Sequence, residues 1–317
     1  MSTLIIDVDT ALGIEGGDID DALMIAYLAG QSNWAGLAGI SVVAGNVSLS
    51  SGVKSTLYIC DLLGLDVPVF PGAAAPADRP LKTGHSLVMG NANSDEKWIF
   101  SHNPVREPET MSFGEWVGHQ DPSFRFTLLA TGPMTNVADL LLKNPSCKYQ
   151  IEQIVSMGGW FFGEERHPEF NMMVDPPAVS TVFQSGIPLT IVPLEMTLKT
   201  CLMPDDIVQW LNYGEVGQAF HDGTLSWMSQ MKSIRGQEGC HLHDPLAAVA
   251  LLHPEIIETV GIIPSIDLKT GKTDVLSEDP HSVVRVVRSF DNAKFQELLL
   301  KGIGVAFETA SRPALLE

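Results

Sequence analysis

The sequence predicts an α/β fold with a mainly parallel central sheet flanked by helices, in the manner of a Rossmann-like open sheet. Short runs of β-branched and other apolar residues alternate with helical patterns through the first half of the chain. Such alternation implies right-handed βαβ crossovers, which cover both faces of a parallel sheet with helices. The 317 residues can bury one large core, and no repeat, low-complexity segment or linker composition divides them. We therefore expect a single domain over residues 1–317.

The predicted elements follow in chain order. Strand-like runs cover residues 4–8, 37–43, 67–70, 124–130, 151–157 and 189–192. Helical patterns cover residues 20–29, 49–63 and about 177–184, and another helix with Pro133 in its first turn runs to about Leu142. Residues 72–122 are rich in Pro, Gly and His, which predicts an excursion over the top of the sheet. Residues 204–243 are predicted to be helical and then irregular, with Trp210, Trp227 and Met228 suited to packing or to a substrate lid.

The composition excludes several kinds of partner. A formal charge of −19 repels polyphosphate backbones, so a nucleic-acid polymer is not expected to bind. No apolar run is long enough to cross a bilayer, and the first residues lack the basic and apolar regions of a signal peptide. The four cysteines are scattered without a paired pattern, which favours reduced thiols. We therefore expect a cytoplasmic enzyme with neither a membrane nor a nucleic acid as its partner.

The clearest chemical signal is a group of aspartates near the N-terminus. Asp7 and Asp9 end the first predicted strand on the same face, and Asp20 and Asp21 open the next helix. In a parallel sheet these positions meet at the carboxyl edge, where ligands bind. Carboxylates so close together repel one another unless a cation neutralises them, and oxygen ligands favour calcium or magnesium. The alternative is that Asp20 caps its helix and that Asp18 keeps its loop soluble.

Two other readings of the aspartates are weaker. An EF-hand loop from Asp7 to Asp18 fails because Leu12 stands where that loop needs glycine. The Asp7-Val-Asp9 pair is also similar to the D-x-D-x-[TV] pattern of haloacid-dehalogenase-type phosphatases. Ala11 stands where that pattern needs Thr or Val, and the second acidic pair follows too soon. A magnesium-dependent phosphohydrolase with Asp7 as its nucleophile therefore remains as an alternative.

Several segments together resemble the inosine/uridine-preferring nucleoside hydrolase family. Its N-terminal fingerprint D-x-D-x-G-x-D-D matches Asp7, Asp9, Asp20 and Asp21, with a longer loop between the two pairs. In the order of the family's other motifs, the chain has SVVAGN at 41–46, ATGPMTN at 130–136, VSMGG at 155–159, PEFN at 168–171 followed by DP at 175–176, and HDPLA at 243–247. The match covers nearly the whole chain, and several motifs in the right order make it specific. The resemblance implies a nucleoside hydrolase-like fold and calcium-dependent hydrolysis of a ribonucleoside to ribose and free base.

The resemblance also implies a role for each matching residue. The calcium ligands would be Asp9, Asp21, Asp244 and the main-chain carbonyl of Thr131, with Asp9 also acting as general base for a calcium-bound water. The ribose would be held by Asp20 and Asn171 at its 2′- and 3′-hydroxyls, by Asn46 and Glu169 along the sugar, and by Met157 beneath it. Asp7 would support these groups from behind. Cleavage through an oxocarbenium-like sugar needs nearby carboxylates but no covalent nucleophile.

Two histidines have both a functional and a structural interpretation. His243 resembles the family residue that protonates the departing base, and a pKa near neutrality suits that role; otherwise it is a structural imidazole. His85 resembles a pocket histidine of pyrimidine-preferring members, or it is a solvated loop residue. A zinc site at Cys240, His241 and His243 lacks a second pair of soft ligands. The histidines therefore favour the nucleoside site over zinc.

Aromatic residues and two departures from the family pattern leave specificity open. The residues Trp160, Phe161, Tyr213 and Trp227 suit a base pocket, although large aromatics also serve as core. The loop between Asp9 and Asp20 is longer than in the family pattern. Residues 163–168 lack the Gly-Asn whose asparagine touches the ribose 5′ end, which leaves Arg166 or His167 to act differently there.

Three functions are consistent with the sequence: the ribonucleoside hydrolase, the phosphohydrolase, and a non-catalytic protein that binds nucleosides or ribose. Asp9, Asn171, His243 and Asp244 together favour catalysis. The family implies a homodimer or homotetramer. The preferred base and the physiological role, in nucleoside salvage or elsewhere, stay open.

Overall fold

The computed structural model describes residues 3–31, 36–88, 96–164 and 166–312. Its nine strands form one sheet in the order β3-β2-β1-β4-β5-β6-β9-β7-β8. The strands are β1 (Thr3–Val8), β2 (Leu37–Val42), β3 (Val69–Pro71), β4 (Phe126–Ala130), β5 (Ile151–Met157), β6 (Leu189–Val192), β7 (Ile257–Ile266), β8 (Thr273–Glu278) and β9 (Val284–Phe290). The neighbours in the run β3-β2-β1-β4-β5-β6-β9 pair in parallel, whereas β7 runs antiparallel to both β9 and β8. The predicted mainly parallel α/β sheet is confirmed.

Helices connect and cover these strands. They are α1 (Asp20–Ala29), α2 (Leu49–Leu63), α3 (Gly84–Val88), α4 (Phe113–Gly118), α5 (Thr135–Lys143), α6 (Phe170–Val174), α7 (Pro176–Phe183), α8 (Leu194–Thr197), α9 (Pro204–Ile207), α10 (Gly214–Arg235), α11 (His243–Leu252) and α12 (Asn292–Ser311). Short 3-10 turns lie at Pro145–Tyr149, Val208–Tyr213 and Pro254–Ile256. Within the described ranges, no helix is both long and apolar enough to cross a membrane.

Hydrophobic cores lie on both faces of the sheet, as the alternation of side chains along β1 shows. Ile6 and Val8 join the cluster packed under α1, α2, α10, α11 and α12, whereas Ile5 joins the cluster under α4, α5 and α7. Helix α1 is buried from Asp20 to Leu28, because other helices cover its outer face. Such double coverage explains why the strands are apolar throughout. Because both faces of the sheet are covered, a site can form at the carboxyl ends of the central strands.

Most predicted elements are present, with differences at their ends. The predicted strand over 124–130 begins at Phe126, because the Phe124 N–H bonds to the Asp121 carbonyl in a turn. The helix predicted from Pro133 begins at Thr135. Residues 204–243 are helical as far as Arg235 and then irregular, as expected. The antiparallel strands β7 and β8, the parallel strand β9 and helix α12 were not predicted. The single-domain organisation over 1–317 stays a prediction.

Candidate active site

Asp7 lies near the end of β1, and its side chain is buried. Asn136 Nδ2 donates to Asp7 Oδ1 at 2.8 Å and to Ser41 Oγ at 2.9 Å. The second carboxylate oxygen of Asp7 is buried without a hydrogen-bond partner among the described residues. Burial raises the pKa of Asp7 to about 7, and the side-chain hydrogen bonds of Asp7 with Ser41 and Asn136 act in the opposite direction. A buried, amide-bound carboxylate of this kind supports its neighbours and does not suit the phosphatase-type nucleophile.

Asp9 follows β1 and is held by the loop after β2. Its Oδ2 accepts the main-chain N–H of Asn46 at 2.6 Å, and the side chain is 1% exposed. Glycines allow this packing: a Cβ on Gly45 would lie 2.1 Å from Asp9 Oδ2, and one on Gly132 would lie 3.1 Å from Oδ1. Burial raises the pKa of Asp9 well above its ordinary value, and the neighbouring Asp21 raises it further. Glycine at positions 45 and 132 thus allows the backbone to approach the Asp9 carboxylate closely.

Three more carboxylates meet where α1 and α11 begin. Oxygens of Asp20, Asp21 and Asp244 all lie within 4.8 Å of one another. The Asp244 N–H donates to Asp20 Oδ2 at 3.3 Å, and Thr131 Oγ1 donates to Asp21 Oδ1 at 2.9 Å. Burial, followed by the charge of Asp21, raises the pKa of Asp20 to about 6, and burial raises that of Asp21 to about 7. The N-cap of α1 is Ile19, so Asp20 is not a mere helix cap.

These residues fit a divalent cation. Asp21 Oδ2 is buried and has no hydrogen-bond partner among the residues that the structure describes. The Thr131 carbonyl accepts Asn171 Nδ2 at 2.6 Å, and its second lone pair remains for a metal. An oxygen-only donor set with excess negative charge suits calcium or magnesium. The predicted carboxylate ligands are Asp9, Asp21 and Asp244. The group of three whose oxygens lie within 4.8 Å of one another contains Asp20 in place of Asp9. Which carboxylates bind the ion therefore stays a prediction.

Glu169 and Asn171 lie at the start of α6, on another wall of the site. Glu169 is the N-cap of α6, and its two oxygens accept the main-chain N–H groups of Gly159, Asn171 and Met172 at 2.8–3.1 Å. Gly159 has φ +76°, and a Cβ there would lie 2.6 Å from the ring of Phe161. Glu169 therefore fixes the loop after β5 through its bond to Gly159, and Glu169 also lines the cavity.

A cavity of about 430 Å³ opens above the aspartates. Most of the predicted site residues line it: Asp20, Asn46, His85, Thr131, Met157, Glu169, Asn171, His243 and Asp244. Asp9 and Asp21, each 1% exposed, lie beneath its floor. The structure therefore brings all the predicted site residues together in one place.

The long loop between Asp9 and Asp20 is fixed rather than projecting. Ile14 pairs with Trp98 as an isolated β-bridge, and the Gly16 N–H donates to Ser226 Oγ at 3.1 Å. Asp18 lines the cavity, and its Oδ1 accepts the N–H groups of Ile19 at 2.7 Å and of Asp20 at 3.3 Å. Asp18 is partly exposed, but its hydrogen bonds and its place in the cavity wall show that it does more than keep the loop soluble.

The histidines occupy defined positions. His243 Nδ1 bonds to Thr197 Oγ1 at 2.7 Å, and burial lowers the His243 pKa to about 4, with Asp18 acting in the opposite direction. His85 is buried, with Nε2 3.0 Å from the Glu15 carbonyl, so it is not a solvated loop histidine. His241 Nδ1 bonds to the Thr200 carbonyl at 2.7 Å. Cys240 is buried, and burial raises its thiol pKa well above the ordinary value, which disfavours a zinc thiolate.

The remaining candidates divide between cavity and core. Trp160 and Trp227 line the cavity, whereas Phe161 is buried in the core and Tyr213 packs on Phe307. Arg166, expected near the ribose 5′ end, is instead bound to the Phe161 carbonyl and to Asp274. His167 packs its ring against Trp160 at 5.8 Å between centroids.

Three polar wall residues were missed by the sequence analysis as members of the site: Arg235, Gln237 and His241. The 227, 231, 235 spacing along one helix was the available signal for Arg235. No motif marks Gln237 or His241 as members of this wall.

Comparison with known proteins shows which proteins the chain resembles. The inosine-uridine preferring nucleoside hydrolase family model matches residues 4–297. The non-specific ribonucleoside hydrolase RihC of Salmonella paratyphi A is 32% identical over 244 residues, which are 75% of this chain and 77% of that protein. A purine-preferring ribonucleoside hydrolase from Gardnerella vaginalis superposes with a TM-score of 0.83 at 28% identity, covering 97% of this chain and 100% of that one. An inosine-uridine preferring nucleoside hydrolase from Bacillus anthracis shares the fold, with a TM-score of 0.70 at 21% identity and coverage of 96% and 100%.

Proposed function

The chain belongs to the inosine-uridine preferring nucleoside hydrolase family and hydrolyses the N-glycosidic bond of ribonucleosides, and from this premise we propose that the cavity above its aspartates is the catalytic site. The observation that carries the proposal is the convergence of Asp9, Asp20, Asp21 and Asp244 from three separate segments of the chain. Four buried carboxylates in contact are unfavourable without a specific use. Their position at the carboxyl edge of the sheet is where α/β folds bind ligands.

We propose calcium as the cofactor, held by Asp9, Asp21, Asp244 and the Thr131 carbonyl. Support comes from the Asp21 oxygen that has no hydrogen-bond partner in the described part of the chain, and from the mixed carboxylate and carbonyl donors, which calcium accepts with flexible geometry. When bound, the cation supplies positive charge that offsets the carboxylates and polarises the oxygens of a water and of the ribose diol. Asp20 and Asn171 bind the diol, and Asn46, Glu169 and Met157 complete the sugar site.

Asp9 is the proposed general base. The N–H of Asn46 fixes one of its oxygens, and the close approach of Gly45 and Gly132 prevents the side chain from rotating away. Asp9 takes a proton from water as the water oxygen bonds to C1′ of the ribose and the C1′–N bond breaks. The carboxylates stabilise the positive charge that develops on the sugar. No covalent enzyme intermediate is needed.

His243 is the proposed proton donor to the departing base. Thr197 Oγ1 also donates to the Leu194 carbonyl, so it accepts the Nδ1–H of His243. Nε2 is then the ring atom that takes a proton from solvent and passes it to the base nitrogen as the C1′–N bond breaks. The buried His85 lies in the cavity wall, where its Nε2 is 3.0 Å from the carbonyl oxygen of Glu15. We propose that His85 contacts the substrate and does not transfer protons.

Ribose release from inosine, uridine, cytidine and adenosine tests this assignment. Asp9→Ala is expected to abolish release from every nucleoside while leaving the fold intact by circular dichroism. Asp139→Ala is the matched control, because Asp139 pairs with Lys143 on exposed α5 surface. Equal rates for Asp9→Ala and the wild type would refute the catalytic role of Asp9. Phosphate release from esters would instead favour the phosphohydrolase alternative. A cytoplasmic location and a homo-oligomeric state also remain predictions.

A further inference from the structure

The loop after β5 places Trp160 in the wall of the cavity beside Glu169. The Gly159 N–H donates to Glu169 Oε2 at 2.8 Å, and the Gly159 carbonyl accepts the N–H of Leu194 at 2.8 Å. These bonds join the loop to the start of α6 on one side and to α8 on the other. We call the resulting surface the indole wall, and its cavity-lining members are Trp160, Glu169, Phe170, Leu194 and Leu198.

The side chains of the indole wall have no hydrogen-bond donor left for a ligand. The indole Nε1–H of Trp160 is already used, because it donates to the Phe162 carbonyl at 2.8 Å. The Glu169 carboxylate only accepts, and its two oxygens already accept three main-chain N–H groups at 2.8–3.1 Å. The other three members are apolar. This part of the cavity therefore suits an apolar substituent better than a hydroxyl group.

The polar residues that follow this loop are held elsewhere, and the indole is held in place. Arg166 Nη1 binds a main-chain carbonyl at 3.1 Å and Asp274 Oδ1 at 2.6 Å, whereas the ring of His167 packs on Trp160. Neither side chain is among the described residues that line the cavity. Thr273 Oγ1 binds both the N–H and the carbonyl of Trp160, at 2.9 and 3.0 Å. The apolar ring is thus a fixed part of the wall.

The contacts of the two diol-binding residues orient the sugar, so the argument here rests on the proposed function. Asp20 Oδ2 accepts the N–H of Asp244 at 3.3 Å, and Asp244 follows His243, the proposed proton donor to the base. Asn171 instead donates its N–H to Glu169 Oε1 at 2.9 Å, beside the indole wall. In a nucleoside the 2′-hydroxyl adjoins C1′, which carries the base, and the 3′-hydroxyl adjoins C4′, which carries C5′. Asp20 therefore takes the 2′-hydroxyl and Asn171 the 3′-hydroxyl, which directs C5′ towards the indole wall.

We propose that the enzyme hydrolyses 5′-deoxy-5′-alkylthio ribonucleosides, and does so faster than ribonucleosides with a 5′-hydroxyl. The alkylthio group buries apolar surface against Trp160, Leu194 and Leu198, and its sulfur contacts an aromatic ring favourably. A 5′-hydroxyl in the same place exchanges water for a wall without a side-chain donor. The bonds that change are the same as for other nucleosides: the water oxygen bonds to C1′ and the C1′–N bond breaks. The products are the free base and a 5-deoxy-5-alkylthioribose.

A 5′-phosphate is a less suitable group for this wall. Its members include one carboxylate, Glu169, and no cationic side chain. A phosphate dianion beside Glu169 is repelled, whereas a neutral thioether is not. The indole wall therefore favours apolar 5′ groups over 5′-nucleotides.

The test measures release of free base from hypoxanthine and adenine ribonucleosides that carry a hydroxyl, a hydrogen or a methylthio group at C5′. We expect kcat/KM of wild type to be about 4- to 15-fold higher for the methylthio than for the hydroxyl compound, with the 5′-deoxy compound between them. Trp160→Ala and Leu198→Gln should lower this ratio towards one, and Trp160→Phe should keep most of it. The control is Trp227→Ala, which removes an indole from another wall of the cavity and should change the ratio by less than about twofold.

A higher kcat/KM for the hydroxyl compounds in wild type would overturn the proposal, and so would an unchanged ratio in both Trp160→Ala and Leu198→Gln. Faster hydrolysis of inosine 5′-monophosphate than of inosine would overturn it in favour of phosphate recognition. If wild type releases base from the hydroxyl compounds and not from the methylthio compounds, this proposal fails while the proposed function stands. If wild type releases base from neither, both fail. Turnover of the hydroxyl compounds by each variant shows that the variant is folded.

Discussion

Asp9 Oδ2 accepts the main-chain N–H of Asn46 at 2.6 Å, across 37 residues of sequence. This bond joins the ends of the two neighbouring parallel strands β1 and β2, and it fixes the carboxylate that we assign as the base. The pKa of Asp9 is nevertheless raised by burial and by Asp21. The orientation of the carboxylate is thus set by the backbone, while its charge state depends on what binds beside it.

Gly45→Ala is expected to displace Asp9 without unfolding the protein. The new Cβ would lie 2.1 Å from Asp9 Oδ2, so the carboxylate must move. A displacement of about 1 Å costs on the order of 100-fold in rate, whereas overpacking costs about 1–3 kcal/mol of stability. Steady-state kinetics and urea denaturation measure the two effects. Gly36→Ala, whose new Cβ has no atom of the described residues within 4 Å, is the control. Unchanged kcat in Gly45→Ala would contradict the role of Asp9.

Asn136→Ala is expected to destabilise the fold. Its amide bonds Asp7, Ser41 and the Ala73 N–H, and its loss removes the amide donor to the buried Asp7 carboxylate. Removing such a partner costs about 1–3 kcal/mol. Urea denaturation at pH 7 measures this loss. The control is Asn144→Ala, whose amide makes one bond to the Gly114 carbonyl and is expected to matter less. Equal stability of the two variants would show that Asp7 does not need its amide partner.

Thr273→Val is expected to weaken nucleoside binding. Thr273 Oγ1 accepts the Trp160 N–H at 2.9 Å and donates to the Trp160 carbonyl at 3.0 Å, which fixes a wall residue of the cavity. The loss of two hydrogen bonds, each worth about 1 kcal/mol, should raise KM by up to about tenfold with little change in kcat. Thr181→Val on α7 is the control. If KM is unchanged and kcat falls instead, Trp160 acts in the chemical step.

The metal-free protein is expected to lose stability as pH rises from about 4 to 7. The folded-state pKa values of Asp20 and Asp21, about 6 and 7, lie above the ordinary value of 3.8. In this window the native state therefore holds more protons than the unfolded state, and stability falls with rising pH. Calcium displaces these protons, so its affinity should rise about tenfold per pH unit for each proton released. Thermal melts and calorimetry at pH 5 to 8 measure both effects; calcium affinity that does not change with pH would contradict them.

The sequence predicted the aspartate site better than it predicted the wall of the cavity that α10 forms. Asp7, Asp9, Asp20 and Asp21 lie at the ends of neighbouring elements, so strand direction alone brings them together. Arg235 reaches the cavity only because the 22-residue helix α10 docks beside the loop that contains Gly16. That docking depends on tertiary packing, which no local pattern reveals.

The last strands were missed for a related reason. Strands β7 and β8 have partly exposed faces, and Pro264 lies at a break in the register of β7. Their pattern therefore lacks the continuous apolar run by which the buried parallel strands were recognised. Sequence periodicity predicted the buried half of the sheet and not its antiparallel edge.

Calcium dependence of ribose release tests the central claim most directly. The protein would be stripped with a chelator, assayed on inosine and uridine, and titrated with calcium, beside Asp21→Asn. We expect no release from the stripped protein, full recovery with one calcium bound per chain, and neither binding nor recovery in Asp21→Asn. Undiminished ribose release from protein shown by elemental analysis to be free of metal would contradict the claim that the buried aspartates act through a bound cation.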